Sequence, residues 1–285
     1  MMIKKRLGLS ALIILLVLIL SSSVSAHELW IEVTEQAGGE ELKVDVLWGH
    51  IRDFLDQSNY EDYQLFVRFP EGSVEELELE GAGVIARAYL TPQEKGEYVF
   101  WALRNPGTFT PGDGITTLSV QLAKSVYQFG AGPSTAGEPV DMLLEIIPTT
   151  NLSGFNSGKI EGTVLLNGTH AEGAVISAYG PGDRALEGET GNQGNFELNL
   201  DIPGTWLIKA NITVDEDGKH GDEDYGRVSR TTTMVIDTGD TGTVAAAAPA
   251  ASMSGTSPVM MGMVFIIGLL FGAAGTFFVT KKKHS

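Results

Sequence analysis

Apolar and polar residues alternate with a period of two along most of the chain. The stretches ELKVDVLW (41–48), YQLFVRF (63–69), VEELELE (74–80), GEYVFWALR (96–104), KIEGTVLL (159–166) and NFELNL (195–200) carry the pattern. Successive residues of a strand point to opposite faces of a sheet, so each stretch predicts a strand. Between residues 27 and 257 no stretch sustains the apolar period of a helix. Gly38-Gly39, Asn167-Gly168 and Gly180-Pro181-Gly182 supply the turn signals between strands. The expectation is an all-β protein of two β-sandwich domains, Ig-like or prealbumin-like, because one such domain takes about 100 residues. At IIPTTNLSGFNSG (146–158) the alternation gives way to Pro, Thr, Asn, Ser and Gly, which sets domains of 27–150 and 151–237.

The two ends read differently. Lys4, Lys5 and Arg6 precede an apolar run, Leu7 to Leu20, and a polar exit, Ser21 to Ser25. Val24 and Ala26 suit the −3 and −1 positions of signal peptidase, so residues 1–26 are expected to be a cleaved signal peptide, helical before removal. Residues 258–280 are uncharged, mostly apolar and long enough for one transmembrane helix. Lys281 to Lys283 follow at once and would hold the tail, 281–285, in the cytoplasm. Residues 238–257, rich in Gly, Ala, Thr and Ser, read as a flexible linker. Together these predict a single-pass cell-membrane protein with its ectodomain outside the cytoplasm.

All 36 acidic residues lie in that ectodomain. Six of the 19 basic ones lie outside it, so the whole-chain charge of −17 becomes −23 on residues 27–257. A surface of this sign repels nucleic acid and gathers cations. The chain has no cysteine, which excludes disulfides and thiolate metal sites. No Ser-His-Asp order, glycine-rich phosphate loop or convincing pair of catalytic carboxylates is present, so no enzymatic activity is expected.

Cleavage after Ala26 would make His27 the first residue of the mature chain. If Gly38-Gly39 is a two-residue hairpin loop, cross-strand partners are residues whose numbers sum to 77. Leu29 then faces Trp48, Ile31 faces Val46 and Val33 faces Val44, while Glu32–Asp45 and Thr34–Lys43 fall on the other face. A one-residue slip would destroy the match. The same register sets His27 against His50, with Cβ atoms about 5 Å apart, close enough for two imidazoles to share one ion. A free α-amine on His27 would chelate with ring Nδ1, giving three nitrogens in a histidine brace. Nitrogen donors without sulfur suit Ni²⁺, Co²⁺, Cu²⁺ and Zn²⁺, and copper binds most tightly. A polar histidine at a strand end is the plainer alternative. His170, after an Asn-Gly turn, reads as solvated. His220, within the acidic run DEDGKHGDEDYG (215–226), is either part of a solvated hairpin or a further ligand.

AHELWIEV (26–33), VDVLWGH (44–50) and the run from Leu143 through Tyr179 resemble the periplasmic accessory proteins of nickel and cobalt uptake, the NikK-like family. The matching positions are His27, Gly49-His50, Leu144-Glu145-Ile146, Pro148, Asn167-Gly168 and Gly173-Ala174-Val175. The resemblance implies capture of Ni²⁺ or Co²⁺ outside the membrane, by His27 and His50, for an energy-coupling-factor type permease. Residues 158–237 also resemble a transthyretin-like, carboxypeptidase-regulatory-like sandwich through Gly173-Ala174-Val175, Thr190, Gly194, Phe196, Gly204 and Trp206. Two other functions stay open: a histidine-brace copper protein, and a metal-free Ig-like surface or adhesion protein.

Overall fold

The structure, a computed structural model, describes residues 27–51 and 54–238. The expected signal helix (1–26), most of the linker, the transmembrane helix (258–280) and the tail lie outside the described residues. Within them, no helix is long and apolar enough to cross a membrane.

The described chain is all-β. It runs through β1 (Glu28–Glu35), β2 (Leu42–His50), β3 (Phe54–Leu55), β4 (Tyr63–Arg68), β5 (Val74–Leu77), β6 (Glu80–Ala82), β7 (Ile85–Leu90), β8 (Gly96–Phe109) and β9 (Thr117–Phe129). It continues with β10 (Leu144–Pro148), β11 (Gly158–Leu166), β12 (Thr169–His170), β13 (Val175–Tyr179), β14 (Ala185–Glu189), β15 (Asn195–Leu200), β16 (Thr205–His220) and β17 (Glu223–Asp237).

Three sheets stack as a sandwich of β-layers. One is β1-β2-β7-β6, with β3 added on β2, and another is β10-β11-β12, with β15 on β11. Between them lies an eight-stranded sheet ordered β14-β13-β16-β17-β9-β8-β4-β5. Consecutive residues of its central strands serve opposite faces. Tyr98, Phe100 and Ala102 of β8 pack with Leu29, Ile31, Val44 and Val46. Trp101 of β8 and Leu122 of β9 instead join Ile146, Ile160, Trp206 and Met234 in a second core.

The stretches on either side of Thr150 are therefore joined through a shared layer, where β17 runs parallel to β9 from Arg227↔Thr117 to Val235↔Ser125. β10, before Thr150, pairs with β11, after it, so the turn-rich segment connects neighbouring strands of one sheet. A buried ion pair pins this junction: Lys124 Nζ of β9 donates to Glu145 Oε1 of β10 at 2.7 Å. Glu145 also accepts the backbone N–H groups of Val140 and Met142. Burial pushes the Lys124 ammonium below the usual lysine range, against the opposing pull of Glu145. Farther along, Thr190 accepts the Ala174 N–H at 2.8 Å and donates to the Ala171 carbonyl at 2.6 Å, tying the segments on either side of the Gly173 turn.

Candidate metal-capture site at the N-terminal hairpin

The β1–β2 hairpin holds the expected register, from Glu28↔Gly49 through Leu29↔Trp48 and Val33↔Val44 to Glu35↔Leu42. Its loop is wider than expected. Gln36 N–H bonds to Glu41 O at 2.8 Å and Gly39 N–H to Gln36 O at 3.0 Å, so the turn takes in Ala37 to Glu40. Gly38 and Gly39 both have positive φ, 116° and 72°, which only glycine adopts cheaply.

One step beyond Glu28↔Gly49, the two histidines meet. Their ring centroids lie 4.5 Å apart with planes at 73°. Two imidazoles bound to one ion through bonds of about 2 Å place their centroids about 4.5 Å apart when the bonds meet at a right angle, and about 6 Å apart when opposed. The observed spacing lies within that range, so the two rings are close enough to share one ion. The His27 ring stacks on Trp48 at 5.4 Å, and His50 stacks on Phe54 at 4.7 Å. The Arg104 guanidinium stands over the Trp48 ring at 4.3 Å. This cation–π contact stabilises the indole by about 0.5–1 kcal/mol.

Sequence reasoning missed what β3 brings. After His50 the chain reverses and β3 pairs antiparallel with β2, Gly49↔Leu55 and His50↔Phe54. Asp56 N–H then bonds to Trp48 O at 2.9 Å, and Asp56 Oδ2 is hydrogen-bonded to His27 Nε2. Directly opposed residues share a face, so His27, Trp48, His50, Phe54 and Asp56 gather on one side of the sheet. The approach depends on Gly49. Its φ is 149°, and a Cβ there would lie 2.4 Å from the Phe54 carbonyl oxygen. A two-residue strand has no readable period. The only hint in the sequence is a glycine beside the last histidine of a strand.

The other face of β1 is also covered. Glu28, next to His27, is 1% exposed, and its Oε1 accepts from Lys209 Nζ of β16 at 3.0 Å. Lys209 also donates to the Tyr179 hydroxyl at 3.2 Å. Trp30 and Leu47 pack against Leu207, and the Thr233 hydroxyl donates to the Leu29 carbonyl at 2.5 Å. The start of β1 is clamped from both sides, while the His27 side chain keeps 37% of its surface exposed.

The other two histidines among the described residues do not join the site. His170 is exposed opposite Leu165, and His220 is exposed opposite Glu223 at the tip of the β16–β17 hairpin. Among the described residues no group of three or more His, Cys, Asp or Glu is arranged to hold one ion. At this end of the hairpin the described side chains offer a pair of imidazoles, His27 and His50. A cavity of about 600 Å³ opens at the loop end of the same hairpin, lined by Glu35, Glu97, Tyr127 and Phe155 among others. It lies away from the histidines. There the Tyr127 hydroxyl donates to Glu35 at 3.0 Å, and burial, reinforced by that carboxylate, pushes the phenol up to about 12.

These features define an all-β sandwich protein with a histidine pair at the open end of its first hairpin. The chain belongs to the family described as "Domain of unknown function (DUF4198)", which matches residues 24–214 and so takes in both histidines. No curated protein matches it. Similar solved structures include a DUF4785 family protein from Legionella pneumophila, at 12% identity and a TM-score of 0.24 over 63% of this chain and 52% of that one. A two-domain fibronectin type-III segment from chicken tenascin aligns at 12% identity and 0.20, covering 73% and 97%. The BSP domain of a biofilm associated protein aligns at 10% identity and 0.21, covering 76% and 53%. The chain spans about half the length of the first of these.

Proposed function

We propose that the protein is a membrane-held accessory factor, without a catalytic step of its own, that captures Ni²⁺ or Co²⁺ outside the cytoplasm. It then passes the ion to an energy-coupling-factor type permease. The observation that carries the reading is the pair of half-buried imidazoles, His27 and His50, 4.5 Å apart at the residue where signal cleavage would free an amine. The metal is cargo: His27 Nδ1, its α-amine and one His50 nitrogen hold it, and no residue does chemistry on it. An ectodomain charge of −23 raises the local cation concentration and speeds encounter. Clamping of β1 through Glu28 and Thr233 limits the motion that His27 must give up on binding.

Calorimetry with Ni²⁺, Co²⁺ and Cu²⁺ on the chain processed at His27 tests this. His50→Ala is expected to weaken binding about tenfold or more, and a glycine added ahead of His27 to do similar damage by removing the amine from the chelate. Unchanged Ni²⁺ and Co²⁺ affinity in both variants refutes the proposed site. Copper outcompeting both ions beyond the ordinary order of affinities would reassign the cargo to copper.

A further inference from the structure

We propose that Asp56 is a positioning residue for the N-terminal chelate. It holds the His27 ring through Nε2 and so keeps Nδ1, the nitrogen that the α-amine can reach, open for the ion. The inference rests on the metal-capture reading above and adds a residue that reading does not use.

A carboxylate only accepts hydrogen bonds, so the His27 nitrogen facing Asp56 Oδ2 is the one that carries the proton. A neutral imidazole has a single N–H, and placing it on Nε2 leaves the Nδ1 lone pair free. The six-membered chelate of an N-terminal histidine closes through Nδ1. Asp56 therefore selects both the tautomer and the ring orientation that the brace requires. It engages the nitrogen turned away from the chelate, as the carboxylate partners of metal-bound histidines ordinarily do.

Asp56 is itself held in place. Its N–H is fixed on the Trp48 carbonyl at 2.9 Å, and β3 locks the preceding residues to Gly49 and His50. On the flat side the His27 ring rests on Trp48, which Arg104 backs at 4.3 Å. Stacking alone is equally satisfied after a half-turn of the ring about its Cβ–Cγ bond, which exchanges Nδ1 with Cδ2 and Nε2 with Cε1. The hydrogen bond to Asp56 removes that freedom. The side chains of His27 and Asp56 are 37% and 41% exposed, so water competes for the bond and the effect of losing it is graded.

The test uses the full chain processed at His27, with Asp56→Ala and Asp56→Asn, each with and without a glycine ahead of His27. Asp56→Ala is expected to weaken Ni²⁺ and Co²⁺ binding about 10–100-fold. Asp56→Asn, whose amide oxygen still accepts from Nε2–H, is expected to keep most of the affinity. In the glycine-extended chain, where no chelate forms, Asp56→Ala should add little, and that non-additivity separates positioning from general damage to the fold. Nitrogen-15 spectra of the metal-free chain, labelled at histidine, should show the His27 proton on Nε2, protected from exchange in wild type and in Asp56→Asn but not in Asp56→Ala. A proton on Nδ1, or equal protection in Asp56→Ala, overturns the proposal whether or not metal binds. So does full affinity in Asp56→Ala, and loss in Asp56→Asn as severe as in Asp56→Ala would make Asp56 a ligand instead. Failure of the wild-type chain to bind Ni²⁺ or Co²⁺ while its ring signals are as expected defeats the capture reading alone.

Discussion

Gly49→Ala probes how β3 completes the site. The added methyl would sit 2.4 Å from Phe54 O, 2.9 Å from Leu55 Cα and 3.0 Å from Asp56 N. All three are backbone atoms of the segment at and after β3, so no side-chain rotation relieves the collision. Holding a non-glycine residue at φ 149° adds strain of about 1–3 kcal/mol. The cheaper response is release of β3. That forfeits the Asp56–Trp48 backbone bond, about 1 kcal/mol, and the Phe54–His50 stack, about 0.5–1.5 kcal/mol. Phe54 is half exposed already, so little apolar burial is lost with it. Because position 49 stays paired with Glu28, the φ strain remains after β3 is released, and the global loss comes to about 3–5 kcal/mol, a fall of about 10–15 °C in Tm. The core of Leu29, Ile31, Val44 and Phe100 survives. Metal affinity should fall further in proportion, by about 10–100-fold, because Asp56 leaves His27. Scanning calorimetry and metal titration of the purified variant measure both quantities. A variant that melts with wild type and binds Ni²⁺ or Co²⁺ equally well would refute the account of β2–β3 packing and its role.

Two further expectations concern the frame around the site. Glu145→Ala should cost about 3–5 kcal/mol in urea denaturation, because Lys124, fully buried, would lose its carboxylate partner and keep only the Ile146 carbonyl. A drop under about 1 kcal/mol would show that the pair contributes nothing net. In a spectrophotometric titration, Tyr127 should ionise near 12, later than an ordinary tyrosine, and Tyr127→Phe should remove that late component. Because the folded-state value is raised above the ordinary 10.0 of a tyrosine, the stability linked to Tyr127 is complete below pH 10 and lost as pH rises toward 12. An unshifted phenol would contradict the burial of Tyr127 and its bond to Glu35.

The period-two pattern is enough to establish the strands and, in the first hairpin, their register. Leu29, Ile31 and Val33 can face a core only if they oppose Trp48, Val46 and Val44, and that parity by itself sets His27 toward His50. A register is a local property, fixed by side-chain parity across one turn. The wider turn, Ala37 to Glu40, does not disturb it, because the extra loop residues are taken symmetrically from the two strands about the same sum. Asp56 is not legible in this way, since β3 is too short to show a period and its place depends on Gly49 admitting a backbone from the other side of β2. Nor is the burial of Glu28 on Lys209, which joins residues 181 positions apart. The shared eight-stranded sheet is hidden for the same reason. Alternation shows that Phe100 and Trp101 point opposite ways, but which layer covers each face is decided by the parallel docking of β17 on β9, a contact between distant segments that no local pattern encodes.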